Sequence, residues 1–128
     1  MLAADDSGEL SPSTVEVNLG FVAPGGQAHH VLTLWNPRRR VVDVAEVRTS
    51  CDCLRINLAR RAVGPSERVA ALVQLDLALE PEFCGGLDMT VDGFDRAGAR
   101  VFHLPVIVCV DPVATEVESF GSRAAHGH

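Results

Sequence analysis

The stretch RVAALVQLDL, residues 68–77, decides how the chain is read. Val69, Ala71, Val73, Leu75 and Leu77 fall on one side and Ala70, Leu72, Gln74 and Asp76 on the other. That period of two is the mark of a strand with one buried face. Working outward, HHVLTLWN (29–36) sets His30, Leu32 and Leu34 against His29, Val31, Thr33 and Trp35. VFHLPVIVCV (101–110) sets Phe102, Leu104, Val106, Val108 and Val110 against Val101, His103, Pro105, Ile107 and Cys109. Pro105 cannot donate to a ladder, so this last strand is expected at a sheet edge.

Turn signals punctuate the runs: Ala23-Pro24-Gly25-Gly26, Asn36-Pro37, Gly64-Pro65-Ser66, Gly85-Gly86, and Asp92-Gly93 with Gly98. Between them the pattern predicts seven strands, at about 14–18, 28–35, 41–49, 54–58, 68–77, 87–92 and 100–110. Short strands at this spacing, with no helical period, predict an all-β, seven-stranded antiparallel immunoglobulin-like sandwich. The chain of 128 residues fits one domain, with an N-terminal tail at 1–12, the sandwich at 13–112 and a C-terminal tail at 113–128. Both tails are rich in Ala, Ser, Gly and charge and are expected to be flexible.

All eleven basic residues are Arg, and the net charge is −6. Phosphate binding depends on neutralisation by Lys and Arg, so this field opposes nucleic acid as a partner. The cluster Arg38-Arg39-Arg40 follows Asn36-Pro37 and is expected at a solvated hairpin tip. No apolar run approaches the roughly 18–20 residues that span a bilayer, and no transmembrane segment is expected. The start, MLAADDSGEL, lacks the charged and apolar regions of a signal peptide. Either the protein is cytoplasmic, or the chain is a mature form with a start Met added, for which LAA followed by acids would suit what remains beside a small-residue cleavage site. Of the two, a periplasmic or secreted protein is the expectation.

Cysteines provide the sharpest chemical question. In VRTSCDCLRI (47–56) Cys51 and Cys53 are one residue apart, and Cys84 and Cys109 complete the set. Successive strands of a sandwich alternate between two poles. If the near pole is where strand 28–35 begins, the turn bearing Cys51 and Cys53, the loop bearing Cys84, the end bearing Cys109 and the start bearing His30 all converge there. His103 falls at the far pole. With 41–49 beside 87–92, Cys84 becomes the nearest cysteine to the Cys51/Cys53 turn.

Three chemistries fit this pole. Cys51 and Cys53 with His30 or Cys84 would make a soft-metal site for Cu(I) or Zn. Cys51 or Cys53 could instead form a disulfide with Cys84, a bond between Cys51 and Cys53 closing a very small ring. The third reading is four inert thiols. His30 by itself reads as a core histidine bonded to backbone. Asp92, Gly93 and Asp95 read as a hairpin turn, Glu80 and Glu82 as solubilising acids, and His126 and His128 as adventitious tail ligands.

The residues also resemble a known family. NLGFVAPGGQAHHVLTLWNPRRRVVDVAEVRTSCDCLRI (18–56) is similar to the opening of the bacterial domain of unknown function fifteen-seventy-three. Gly20-Phe21-Val22, His30-Val31-Leu32 through Asn36, Ser50-Cys51-Asp52-Cys53 and VGPSERVAALVQLD (63–76) follow its order and spacing over about residues 15–110. Asp52 stands where that family has Gly and Leu54 where it has Thr, and its Asn-Asp-Pro after the sixth strand is absent. The resemblance implies an immunoglobulin-like module akin to the Hydin and major-sperm-protein class, usually exported in bacteria. No Gly-x-Ser-x-Gly elbow, phosphate-cradling glycine loop or His-Glu-x-x-His occurs in the sequence. The expectation is therefore a non-enzymatic interaction or scaffolding module with protein partners and no catalytic residues.

Overall fold

A computed structural model describes residues 9–112. The expected flexible tails at 1–8 and 113–128, with His126 and His128, lie outside the described residues. The fold is an immunoglobulin-like β-sandwich. One sheet has the order β1 (Ser11–Pro12), β3 (Gln27–Trp35), β8 (Arg68–Asp76), β6 (Leu54–Leu58). The other runs β2 (Val17–Val22), β10 (Arg100–Val110), β9 (Gly85–Phe94), β5 (Glu46–Thr49), and β4 (Val42–Asp43) pairs with β7 (Ala62–Val63) at the side.

β8 behaves as its alternation requires. Val69, Ala71, Val73 and Leu75 are buried, and β8 pairs with β3 from Trp35↔Arg68 to Gln27↔Asp76. Leu32 and Leu34 from β3 meet Leu104, Val106 and Val108 from β10 in one core with them. Burying each such aliphatic side chain stabilises by about 1.5–3 kcal/mol before chain entropy is subtracted.

Among the described residues the expected seven strands become ten, for local reasons. The run 41–49 splits because the backbone changes partner midway: Val44 donates to the Arg61 carbonyl, and the next residue, Ala45, donates to the Phe94 carbonyl. The chain there crosses from β7 to β9. The first full strand lies at Val17–Val22, beyond the expected 14–18, and within it Gly20 at φ 76° accommodates a bulge where β2 meets β10. The expected tail 1–12 also gives up its last residues: Leu10 is buried, and Ser11 and Pro12 pair with Trp35 and Leu34. Arg40 is no bare hairpin tip; its guanidinium lies 2.6 Å from the Glu9 carboxylate.

Pairing is antiparallel except between β10 and β2. Successive strands do alternate poles, but β2 and β10 both run toward the near pole, so they meet parallel. β10 is consequently an interior strand. The expected edge survives only in its first half, since β2 pairing begins at Val106, one residue past Pro105.

Asp92-Gly93 is not the hairpin turn. Both residues lie within β9, and the turn is made by Asp95, whose carboxylate accepts from the Ala97 and Ala99 N–H groups, with Gly98 at φ 87°. Gly93 is required because the fully buried Phe102 ring lies against it: an added Cβ would come 2.2 Å from a ring carbon.

Asn36 is the buried polar residue of the core. Its Nδ2 donates to the carbonyls of Arg40, Val63 and Gly64, and its Oδ1 accepts from the Arg38 N–H. Its backbone donates to the Glu67 carbonyl and accepts from the Ser66 N–H.

Asn36→Ala leaves those buried carbonyls without a donor and is expected to cost about 2–4 kcal/mol. Gly93→Ala overpacks the core and should cost about 1–3 kcal/mol. Urea denaturation checks both; a loss below about 0.5 kcal/mol in either contradicts the corresponding contact.

Candidate functional site

The Cys51–Cys53 turn is where the chain leaves β5 in one sheet and enters β6 in the other, and it is tied to both. On one side the Ser50 N–H donates to the Thr90 carbonyl and the Thr90 N–H to Ser50 Oγ. On the other, the Asp76 N–H donates to the Cys53 carbonyl. The Cys51 carbonyl accepts from Thr49 Oγ1 and from the Leu54 N–H, closing the turn. Both cysteines are half-buried and pack on the core.

Cys51 and Cys53 are joined to each other by a disulfide, and Cys84 and Cys109 are free. This corrects the expected pairing of Cys51 or Cys53 with Cys84. The reason is distance along a strand. Cys53 Sγ lies 3.9 Å from Met89 Sδ, whereas Cys84 precedes Met89 by five residues, roughly 17 Å of extended chain. The same pole therefore receives both without bringing them together. Cys109 pairs with Gly86 and Phe21 and faces outward from its sheet, opposite to the buried Val108 and Val110.

His30 is core-facing and pairs with Val73, with β8 separating it from β6. Two strand spacings place it roughly 10 Å across the sheet from Ile56, and Cys53 lies about 10 Å further along. Among the described residues no three His, Cys, Asp or Glu side chains are grouped so as to hold a metal ion. The set Cys51, Cys53, His30 and Cys84 is thus not assembled.

A groove of about 350 Å³ opens beside Cys53, bordered by Asp52, Arg55, Asp76, Leu79 and Glu80. Sequence reasoning missed Met89, because a Met at a core position carries no signal beyond packing. It also missed a far-pole pair: His103 Nδ1 and Asp92 Oδ1 share a hydrogen bond of 2.6 Å, with the Arg100 guanidinium 3.7 Å from the same oxygen. The signal for that pair was the β9–β10 hairpin register, which a turn placed at Asp92-Gly93 concealed. Nearby on β5, the Arg48 guanidinium holds the exposed Glu46 carboxyl below its ordinary range, by hydrogen bond first and by charge second.

No family model matches the sequence, and no curated protein does. Solved structures do match in fold. A Porphyromonas gingivalis protein of unknown function superposes with TM-score 0.65 at 11% identity over 82% of this chain. The C. elegans MSP family member WR4 gives 0.55 at 9% over 81%. The secreted serine protease VesC of Vibrio cholerae gives 0.59 at 12% over 84%. The chain spans 49% of the P. gingivalis protein and 24% of VesC, but 99% of WR4. At these identities the likeness is one of fold alone, the immunoglobulin-like β-sandwich.

Unfolded without reductant, the protein should present two free thiols, from Cys84 and Cys109, and four after reduction. Four at the outset, or a cross-linked peptide containing Cys84, contradicts the Cys51–Cys53 bond.

Proposed function

We propose that this chain is a non-enzymatic interaction module working outside the cytoplasm, in the periplasm or as a secreted domain, and that it belongs with the exported Cys-x-Cys family it resembles. The observation that carries this reading is an apolar strip on the outer face of the β1-β3-β8-β6 sheet. Val31 is 61% exposed and Trp35 39%. Val31 pairs with the part-buried Leu72, Thr33 with Ala70, and Trp35 with Arg68, whose guanidinium lies 5.7 Å from the indole centroid.

Two long strands paired over their whole length hold these side chains rigidly, so little conformational entropy is lost when a partner covers them. Trp and Arg, here paired at one end of the strip, are among the residue types that most often dominate a protein interface. The MSP-type fold supports the same reading by analogy. The Cys51–Cys53 disulfide supports the compartment, since such bonds persist where the surroundings are oxidising. Among the described residues no helix is long and apolar enough to cross a membrane.

Photo-crosslinking in the source cells tests the reading. A photoreactive amino acid at position 31 is expected to yield a discrete protein adduct, recovered outside the cytoplasm and lost with Trp35→Ala. The same group at position 88, exposed on the opposite sheet, should yield none. No adduct at 31, or the same adduct from both positions, counts against the proposal.

A further inference from the structure

We propose that reduction of the Cys51–Cys53 disulfide opens a three-sulfur site for Cu(I), made by the thiolates of Cys51 and Cys53 and the thioether of Met89. The juxtaposition is specific. Met89 is 3% exposed and points from β9 into the core, and its Sδ lies 3.9 Å from Cys53 Sγ. Three sulfurs each about 2.3 Å from a central ion in a trigonal plane stand about 4 Å from one another. The Cys53–Met89 separation therefore already matches one edge of that triangle. Cys51 has its Cα 5.1 Å from that of Cys53, and once the bond is broken a rotation about Cα–Cβ can carry its sulfur to the third corner.

The donor set selects the metal. Thiolate and thioether together favour Cu(I), which is content with few soft ligands, whereas Zn prefers four donors drawn from thiolate, imidazole and carboxylate. No such fourth donor is assembled here, since His30 and Cys84 stand apart. The Cys53 N–H also donates to Cys51 Sγ at 3.2 Å, which holds the two residues of the turn together. The groove beside Cys53 offers a path from solvent, and its border carries three acids, Asp52, Asp76 and Glu80, against the single guanidinium of Arg55, a balance that attracts cations.

The chemistry balances with a dithiol as reductant. The disulfide takes up two electrons and two protons to become two thiols, while the dithiol closes to its own disulfide. Cu(I) then displaces the two thiol protons and binds without changing oxidation state. Oxidation of the pair withdraws both thiolates, so metal loading is gated by the redox state of one turn. The interaction strip at Val31 and Trp35 takes no part, and the two proposals stand or fall separately.

The test uses the full chain, reduced anaerobically with a phosphine that is then removed, and titrated with Cu(I) against a chromophoric Cu(I) chelator. Reduced protein should take one Cu(I) per chain from the chelator, and oxidised protein, whose free thiols Cys84 and Cys109 stand apart from this site, should take none. Cys51→Ser and Cys53→Ser should each abolish tight binding. Met89→Leu, which conserves volume, should weaken it about 10-fold or more while leaving four titratable thiols. X-ray absorption of the wild-type complex should show three sulfurs and no imidazole, which tests Met89 even if Met89→Leu folds poorly. Unchanged affinity in a folded Met89→Leu, an imidazole in the first shell, or equal binding by oxidised protein would overturn the proposal.

Discussion

Asn36 closes the far end of the β3–β8 ladder, and much of the sandwich depends on its being satisfied. A carboxamide buried without partners costs more than most single contacts return. Here its donors reach carbonyls on two segments, 40 and 63–64, and its acceptor holds the backbone at 38. The main chain of Asn36 meanwhile bonds residues 66 and 67, which keeps Ser66 in a left-handed conformation at φ 62°. Both loops are thus docked against Asn36, the residue that follows β3. That docking sets Trp35 opposite Arg68, and every pair from there to Gln27 and Asp76 follows. A slip of one residue would turn Val69, Ala71, Val73 and Leu75 outward.

At the other pole the constraint is covalent. The chain must pass from β5 to β6, between sheets that lie about 10 Å apart. The Cys51–Cys53 turn makes that passage with one hydrogen-bonded end on each sheet. A turn so placed is both a structural corner and a point where sulfur chemistry meets solvent. The same position puts Cys53, already bonded to Cys51, against Met89 of the facing sheet rather than against Cys84.

Strand alternation made β3, β8 and β10 legible, because one buried face imposes a period of two on any sequence that forms it. The gathering of all four cysteines toward one pole was also legible, since it needs only the reversal of successive strands. Contact within the pole was not. Cys84 and Cys53 share a pole but sit at different heights along it, and height depends on the β5–β9 register, with Thr49 opposite Val91. The burial of Asn36 was hidden for a related reason: Asn before Pro is an ordinary turn signal, and only the folded chain surrounds it with carbonyls. Asp92-Gly93 misled in the same way. The glycine there answers the Phe102 ring across the hairpin, and the turn itself falls at Asp95–Gly98.

By itself the sequence determined the all-β class, the buried faces of the main strands and the pole to which each loop returns. These follow from local period and from chain reversal, both of which are properties of neighbours along the chain. Tertiary structure alone decided the parallel meeting of β2 with β10, the switch of partner at Val44 and Ala45, the disulfide within the Cys-x-Cys turn, and the placing of Met89 beside it. Apart from the disulfide, a local bond between residues two apart, each of these depends on which residues stand at the same height on two different strands. That height is set by side-chain packing and backbone bonding between segments far apart in the chain.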